Sequence, residues 1–281
     1  MVADRAAVLA WFEPRRRAYP WRRARDPYRV LVSEIMLQQT QAARVAEAYP
    51  RFLRRFPSVR ALAAASRRDV LVAWDGLGYN RRAVALAEAA RAIVREHGGR
   101  IPRDPVALRT LPGVGPYTAA AVASIAFGVP VAAVDTNVRR VISRAAGGVE
   151  DLGDARVREL AQVWLDPGDP GGWNQALMDL GREVCRPAPR CDACPLRTGC
   201  RWVGVQADPP SRPSRRTEPF AGSMRQVRGA VVRALRTRPS ATVAELAAAL
   251  REPEERVREA VRRLVVEGIL ERRGAHVLLA S

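Results

Sequence analysis

Two isolated carboxylates have neighbours that could give them catalytic properties. Glu34 interrupts the apolar run YRVLVSEIML at residues 28–37, and Asp135 follows the small apolar residues VPVAAV. A carboxyl group in apolar surroundings has a raised pKa and can act as a general acid near neutral pH. Asp135 also precedes apolar residues spaced three and four apart, so it is equally suited to cap a helix N-terminus. The residues alone leave both interpretations of Asp135 open.

The basic residues limit the chemistry and indicate the partner. All 47 are arginine, and the chain contains no lysine. A side-chain Schiff base is therefore excluded, and an imine mechanism would need the terminal amine. The net charge of +18 indicates a polyanionic partner, most often a nucleic acid.

Four cysteines fall within sixteen residues in the pattern C-x5-C-x2-C-x5-C; they are Cys185, Cys191, Cys194 and Cys200. In a chain with no other cysteine, such clustering favours a metal site over disulfides. Zinc ribbons usually have two C-x2-C pairs, whereas only one is present here. The long outer spacings favour a [4Fe–4S] cluster bound by four thiolates. A four-thiolate zinc site and unmetallated thiols remain the alternatives at this point.

A glycine-containing hairpin is predicted at Leu111-Pro112-Gly113-Val114-Gly115, between two helical segments. Backbone N–H groups beside a helix N-terminus can bind a phosphate without a charged side chain. A simple turn is the alternative. In a chain this basic, we expect the hairpin to bind the DNA backbone independently of sequence.

Helical periodicity dominates to about residue 180, and strand-like alternation is nearly absent, which predicts an all-α main domain. The segment 205–222 is rich in Pro, Ser and Arg and is predicted to be a linker. Residues 223–281 predict three helices and a hairpin around Gly274, with Thr242 and Glu245 in capping-box spacing. This order is typical of a small α+β winged helix. Its arginine-rich third helix could contact DNA, or the whole segment could be a packing or docking module.

No stretch approaches the ~18 apolar residues needed to span a bilayer. The N-terminal charges follow a short amphipathic segment, an order unlike that of a signal peptide. We therefore expect a cytoplasmic protein.

Six motifs in a fixed order resemble one enzyme family: VSEIMLQQTQ, GLGYN, LPGVGPYTAAAV, VDTNVRRV, WNQALMDLG and the four-cysteine array. They resemble the helix–hairpin–helix base-excision DNA glycosylases, specifically the adenine (MutY-type) branch, over roughly residues 8–204. The resemblance implies two helical subdomains with a DNA cleft, a [4Fe–4S] cluster and action on double-stranded DNA with an adenine mispair. Nothing in the sequence demands more than a monomer. The predicted domains are then a glycosylase domain at 1–204 with a cluster loop at 185–200, the linker at 205–222, and the winged-helix-like domain at 223–281.

Two positions separate this branch from its siblings. The endonuclease III type has a catalytic lysine in the hairpin motif, where this chain has Tyr117. The thymine-removing mismatch branch can share that tyrosine but is not expected to have an acid matching Glu34. Both positions point to hydrolysis of adenine opposite 8-oxoguanine or guanine. A glycosylase for thymine opposite guanine and a non-catalytic DNA-binding iron–sulfur redox sensor are the alternatives.

The resemblance also implies roles for single residues. Glu34 is the acid that protonates the departing adenine, and Asp135 stabilises the oxocarbenium-like sugar or acts as a transient nucleophile. Tyr117 and Asn137 support them. The adenine pocket is expected at Trp21, Arg22, Leu37 and Gln175. DNA contacts are expected at Gln38, Gln39, Thr40, Leu111, Gly113, Val114 and Gly115, with Tyr79 as a stacking wedge.

Several positions depart from the pattern of this branch. The first cysteine spacing is five residues, where six is usual, and Thr136 and Asn80 stand where the branch commonly has glycine and a second tyrosine. Only 81 residues follow Cys200, too few for a linker and the Nudix-like domain that reads 8-oxoguanine in many members. We therefore hypothesise that the winged helix, through residues 254–263, replaces some of the DNA contacts that the Nudix-like domain makes in those members. The preference between 8-oxoguanine and guanine stays open.

Overall fold

The computed structural model describes residues 5–16, 19–23, 25–202 and 219–280. Most of the predicted linker at 205–222 lies outside these ranges. The described helices are α1 Arg5–Phe12, α2 Pro27–Leu37, α3 Ala42–Arg55, α4 Val59–Ala64, α5 Arg67–Ala73, α6 Arg81–His97, α7 Pro105–Arg109, α8 Pro116–Phe127, α9 Thr136–Gly147, α10 Asp154–Trp164, α11 Pro170–Glu183, α12 Met224–Thr237, α13 Val243–Leu250 and α14 Glu254–Val266. The strands are β1 Ala241–Thr242, β2 Leu270–Arg273 and β3 His276–Leu279. The predicted fold class, helical with a small C-terminal α+β segment, is confirmed.

The chain divides into two compact units. The first combines Met1–Ile35 with Ile101–Pro213, and the second combines Met36–Arg100 with Ser214–Ser281. The C-terminal segment therefore packs with residues 36–100 in one unit. The three-part division expected from the sequence, with its boundaries at 204 and 223, stays a prediction.

The core of the first unit is formed by α1, α9, α10 and α11. Phe12, Ile142, Trp164 and Trp173 are buried in it. The approach of α11 to α9 requires a glycine, because a Cβ at Gly181 would lie 2.8 Å from the Asn137 carbonyl oxygen. This close packing brings α11 beside the first turn of α9, which carries Asp135 and Asn137.

The second unit contains α3 to α6 and the C-terminal elements. The long helix α6 packs against α4 through a buried, alanine-rich face. In the C-terminal part, β1, β3 and β2 form an antiparallel sheet in that order, and β2 and β3 are joined by a turn at Gly274 with a φ of 62°. The predicted capping box is present, because Thr242 and Glu245 each bond the other's backbone N–H at 3.2 and 2.7 Å. No helix among the described residues is long and apolar enough to cross a membrane.

Candidate active site

Glu34 lies on the buried side of α2 in the first unit. Its exposed fraction is 5%, and the adjacent Val32 and Ile35 are fully buried. The Tyr117 hydroxyl, from the first turn of α8, donates to Glu34 Oε2 at 2.9 Å. Burial raises the pKa of Glu34 to about 7, although the Tyr117 hydrogen bond and the Arg22 charge both oppose the increase. The side chain can therefore be protonated or ionised near neutral pH, as a general acid requires.

Tyr117 keeps its proton. Burial, followed by the charge of Glu34, raises the pKa of Tyr117 well above its ordinary value. Its hydroxyl also lies 3.3 Å from the sulfur of Met178 on α11. Tyr117 is thus a fixed hydrogen-bond donor that orients the Glu34 carboxyl group.

Asp135 caps α9, as the simpler interpretation of the sequence predicted. Its Oδ1 accepts the backbone N–H groups of Asn137 and Val138 at 2.9 and 2.7 Å. Its Oδ2 accepts the Asn137 side-chain amide at 3.1 Å. Asp135 also interacts electrostatically with Glu34, so the capping residue lies close to the buried acid. Burial raises the pKa of Asp135, and its hydrogen bonds oppose that increase.

A bridge from Asn137 to the cysteine segment runs through Arg140. Its Nη2 donates to Asn137 Oδ1 at 2.8 Å and to the Gly181 carbonyl oxygen at 2.7 Å. Its Nε donates to the Cys185 carbonyl oxygen at 2.6 Å. One guanidinium therefore joins the first turn of α9, the end of α11 and the first cysteine.

Arg22 forms a buried ion pair that the sequence analysis missed. Its two terminal nitrogens donate to the two carboxylate oxygens of Asp179 at 2.5 and 2.8 Å. The side chains are only 6% and 1% exposed, so the pair is shielded from solvent. Trp21 is buried and stacks on Tyr19 with ring centroids 4.7 Å apart.

Gln175 is half-buried on α11. Met178 and Asp179 follow it by three and four residues, so all three lie on one face of the helix. This spacing was the signal that could have identified Met178 and Asp179. The structure brings Trp21, Arg22, Glu34, Tyr117 and this face of α11 into the same unit.

The hairpin forms as predicted between α7 and α8, with Gly113 at a φ of 76° and Gly115 as the N-cap of α8. The side chains of Leu111 and Val114 are buried. The Val114 N–H donates to the Leu111 carbonyl oxygen at 3.1 Å and closes the turn. The space that a Cβ would occupy at Gly115 is open. Any DNA contact here therefore involves exposed backbone, with Leu111 and Val114 holding the hairpin in place.

The second unit carries two loops whose outermost residues have left-handed backbone. Gln39 has a φ of 54° and is exposed; Tyr79 has a φ of 44° and is 51% exposed. Leu37 and Gln38 are half-buried at the end of α2 and directly after it. The Thr40 hydroxyl accepts from Arg82 at 2.9 Å. Thr40 therefore helps to hold this loop in place.

Arg82, in the first turn of α6, connects the two loops. Its Nη1 donates to the Met36 and Gln38 carbonyl oxygens at 2.8 and 2.5 Å. Its Nη2 donates to those of Leu77 and Gly78 at 3.1 and 3.2 Å. Burial lowers the pKa of Arg82 to about 10, so it remains a cation.

The four cysteines form no disulfide, and each is half-buried. All four line one cavity, together with the buried Arg144 and Trp202. The pKa of Cys194 is raised to about 11, chiefly by burial and in addition by the charges of the other three cysteines. No three His, Cys, Asp or Glu side chains among the described residues are close enough to hold a single metal ion.

Comparisons with known proteins identify the family of this chain. Residues 32–167 match the family described as HhH-GPD superfamily base excision DNA repair protein. The adenine DNA glycosylase of Mycobacterium tuberculosis is 46% identical over 235 residues, which are 82% of this chain and 77% of the relative. The chain belongs to the adenine DNA glycosylase family. It is therefore a DNA repair enzyme that hydrolyses an N-glycosyl bond.

Solved structures of relatives show the same fold. A thermostable thymine-DNA glycosylase superposes with a TM-score of 0.66 at 35% identity, covering 70% of this chain and 93% of that one. An endonuclease III–DNA complex superposes with a TM-score of 0.59 at 26% identity, covering 70% and 94%. These glycosylase structures support DNA as the partner of this adenine DNA glycosylase family member.

Proposed function

We propose that this glycosylase removes adenine mispaired with 8-oxoguanine or guanine in double-stranded DNA. The observation that carries the proposal is the buried carboxyl group of Glu34, with its pKa of about 7 and its hydrogen bond from Tyr117. Adenine is a poor leaving group as an anion, so a proton donor at its ring is needed when the glycosidic bond breaks.

The proposed reaction begins with the adenine flipped out of the DNA stack. Protonated Glu34 donates its proton to the base, at N7 in our interpretation, as the bond between the base and C1′ breaks. Adenine leaves as a neutral molecule, and a positive charge develops on the sugar. Water then adds its hydroxyl group to C1′, and its proton returns to a carboxylate. The products are adenine and an abasic site.

Asp135 is proposed to stabilise the sugar cation as a carboxylate. The backbone N–H groups of α9 and the Asn137 amide hold its two oxygens in position. Trp21, Arg22, Gln175 and the half-buried Leu37 are proposed to contact the adenine, with Arg22 held by Asp179. Trapping a covalent bond between Asp135 and the sugar would show that Asp135 is a transient nucleophile. Failure to trap one would favour an electrostatic stabiliser.

The contacts to DNA are proposed to come from the hairpin and from the two loops of the second unit. Gly113 and Gly115 would present backbone to a phosphate, with Leu111 and Val114 as their packed support. Gln38, Gln39 and Thr40 form one loop, and the exposed ring of Tyr79 at the other is proposed to be the stacking wedge. We further propose a monomer that acts on chromosomal DNA in the bacterial cytoplasm.

The cysteines are proposed to bind a [4Fe–4S] cluster. They line one cavity together, and their C-x5-C-x2-C-x5-C spacing lacks the two C-x2-C pairs usual in a zinc ribbon. Four half-buried thiols around one cavity would repel each other once ionised, and a positively charged cluster core would relieve that repulsion. When bound, such a cluster holds its loop in shape and can exchange electrons. Arg144 places a cation beside the cavity, its Nη1 lying 4.0 Å from Cys185 Sγ.

The function is tested with three duplexes that carry A:8-oxoguanine, A:G and T:G, incubated with the enzyme and then treated with alkali. Strand breaks at adenine alone support the proposal. Breaks at thymine would favour the second candidate, thymine opposite guanine, which the similarity to a thymine-DNA glycosylase makes worth including. Glu34→Gln should abolish cleavage and retain DNA binding. A fully active Glu34→Gln enzyme would rule out Glu34 as the acid.

A further inference from the structure

The arginines of the third C-terminal helix, α14, form ion pairs with glutamates three or four residues away on or next to the same helix. The pairs are Arg256–Glu252, Arg258–Glu254, Arg258–Glu255, Arg262–Glu259 and Arg263–Glu259. The arginine-rich sequence of this helix suggested a DNA contact, with a packing or docking module as the alternative. With four arginines neutralised by four glutamates, α14 offers DNA little net charge.

The first C-terminal helix, α12, instead contacts the loop that carries Tyr79. Arg236, near the end of α12, donates from Nε to the Leu71 carbonyl oxygen at 3.1 Å. Its Nη1 binds the Asp75 carboxylate, and its Nη2 lies 3.5 Å from Asn80 Oδ1. Asp75 follows α5 and Asn80 directly precedes α6. One guanidinium therefore spans both ends of the loop formed by residues 75–80.

Arg236 is set firmly in place. Its side chain is only 11% exposed. From α5, Arg68 donates to the carbonyl oxygens of Leu235, Arg236 and Arg238, at 3.4 to 3.5 Å. These bonds satisfy carbonyl groups at the C-terminal end of α12, where a cation is also favoured by the helix dipole. Arg67 Nη1 donates to the Gly268 carbonyl oxygen at 3.0 Å, a second attachment of the C-terminal elements to α5.

The loop needs such support because its backbone is unfavourable for Tyr79. A non-glycine residue at a φ of 44° costs free energy that the surroundings must offset. Asn80 supplies its amide oxygen at the position where the family resemblance leads us to expect a second tyrosine. Arg82 bonds the loop carbonyls from α6, and Arg236 holds the two loop ends.

We propose that Arg236 is a positioning residue through which the C-terminal helices hold the Tyr79 loop in the conformation that reads mispaired DNA. The proposal deepens the proposed function and rests on it. Arg236 acts through Asp75 and Asn80 and need not touch DNA. The C-terminal segment then contributes to mispair recognition through α12, and its third helix is not the DNA-contacting element.

The test compares Arg236→Met with Arg258→Met, which removes one arginine of equal charge that pairs only within α14. Dissociation constants are measured for an A:G duplex and a fully paired duplex, together with the single-turnover cleavage rate at saturating enzyme. Arg236→Met should reduce the preference for the mispair about tenfold and leave binding to the paired duplex unchanged. Arg258→Met should retain the wild-type preference. An Arg236→Met enzyme with the wild-type preference would overturn the proposal.

Two further variants separate positioning from a general loss of folding. Asn80→Ala removes an acceptor from the loop without altering the C-terminal helices, and it should lower the same preference. The double variant, Arg236→Met with Asn80→Ala, should lose less of the preference for the mispaired duplex than the two single losses combined, because both substitutions break the same contact. Additive losses, or equal weakening for both duplexes, would contradict the assigned role. Wild-type enzyme that cleaves no adenine mispair would refute the proposed function, and the binding preference would still test Arg236.

Discussion

The burial of Glu34 is unfavourable for stability but useful for catalysis. Its carboxyl group is buried among apolar residues, and the resulting pKa of about 7 lets it carry a proton at neutral pH. The free energy of unfolding is lower when that group must ionise in the folded state. A carboxyl group kept for stability alone would be expected to have a cationic partner, whereas Glu34 accepts its hydrogen bond from a neutral tyrosine.

Glu34→Gln should stabilise the protein most at alkaline pH. The folded pKa lies above the ordinary value of 4.5, so wild-type stability falls as pH rises from about 4.5 to 7 and remains low above it. Glutamine does not ionise and avoids this loss. Urea unfolding should show the variant gaining on the order of 2–3 kcal/mol over wild type between pH 5 and pH 8. An equal difference at both pH values would contradict the raised pKa.

Tyr117→Phe should shift the pH dependence of adenine removal. The Tyr117 hydrogen bond lowers the pKa of Glu34, so its loss should raise that pKa further. Single-turnover rates of the wild type should decline above pH 7 as Glu34 ionises, and the variant's decline should begin at higher pH, from a lower maximum. A decline at the same pH in both proteins would show that Glu34 is not the titrating acid.

At the scale of elements, α9 connects two parts of the first unit. Its N-terminus carries Asp135 and Asn137, and Arg140 on its next turn reaches the Cys185 carbonyl oxygen. The missing side chain of Gly181 allows α11 to approach this turn. The position of the carboxylate therefore depends on the packing of the cysteine segment.

Arg140→Met should lower the single-turnover rate at least tenfold, because the Asn137 amide and the Cys185 carbonyl both lose a charged donor. Iron and sulfide analysis of the purified protein should also show reduced loading. Arg139→Met is the matched control, since Arg139 pairs at the surface with Asp151 and Asp154. Equal effects of the two substitutions would mean that the bridge has no specific role.

At the scale of the whole chain, the surplus charge of +18 should govern DNA affinity. Each phosphate that an arginine neutralises releases condensed counterions, so binding should weaken as the salt concentration rises. The association constant should fall about 100-fold between about 50 and 200 mM salt if some four phosphates are neutralised. Fluorescence anisotropy on one duplex across that range measures the slope. A slope near zero would indicate that the arginine surplus does not serve DNA binding.

Much of this chain was predictable because its strongest signals are local. The capping box of Thr242 and Glu245, the turn at Gly274 and the cap at Asp135 each depend on residues a few positions apart. The motifs around Glu34 and the cysteines likewise indicated the family and the proposed chemistry. Such patterns are readable because helix and turn geometry places these neighbours together wherever the segment folds.

Tertiary structure alone decided which distant groups meet. Asp179 is separated from Arg22 by 157 residues, and Asp75 from Arg236 by 161. An arginine is compatible with many partners, and only the packing of whole helices selects one. The pairing along α14 is local by contrast, since each of its arginines lies three or four residues from its glutamate, whereas the contact of Arg236 with Asp75 required the packing of α12 against α5.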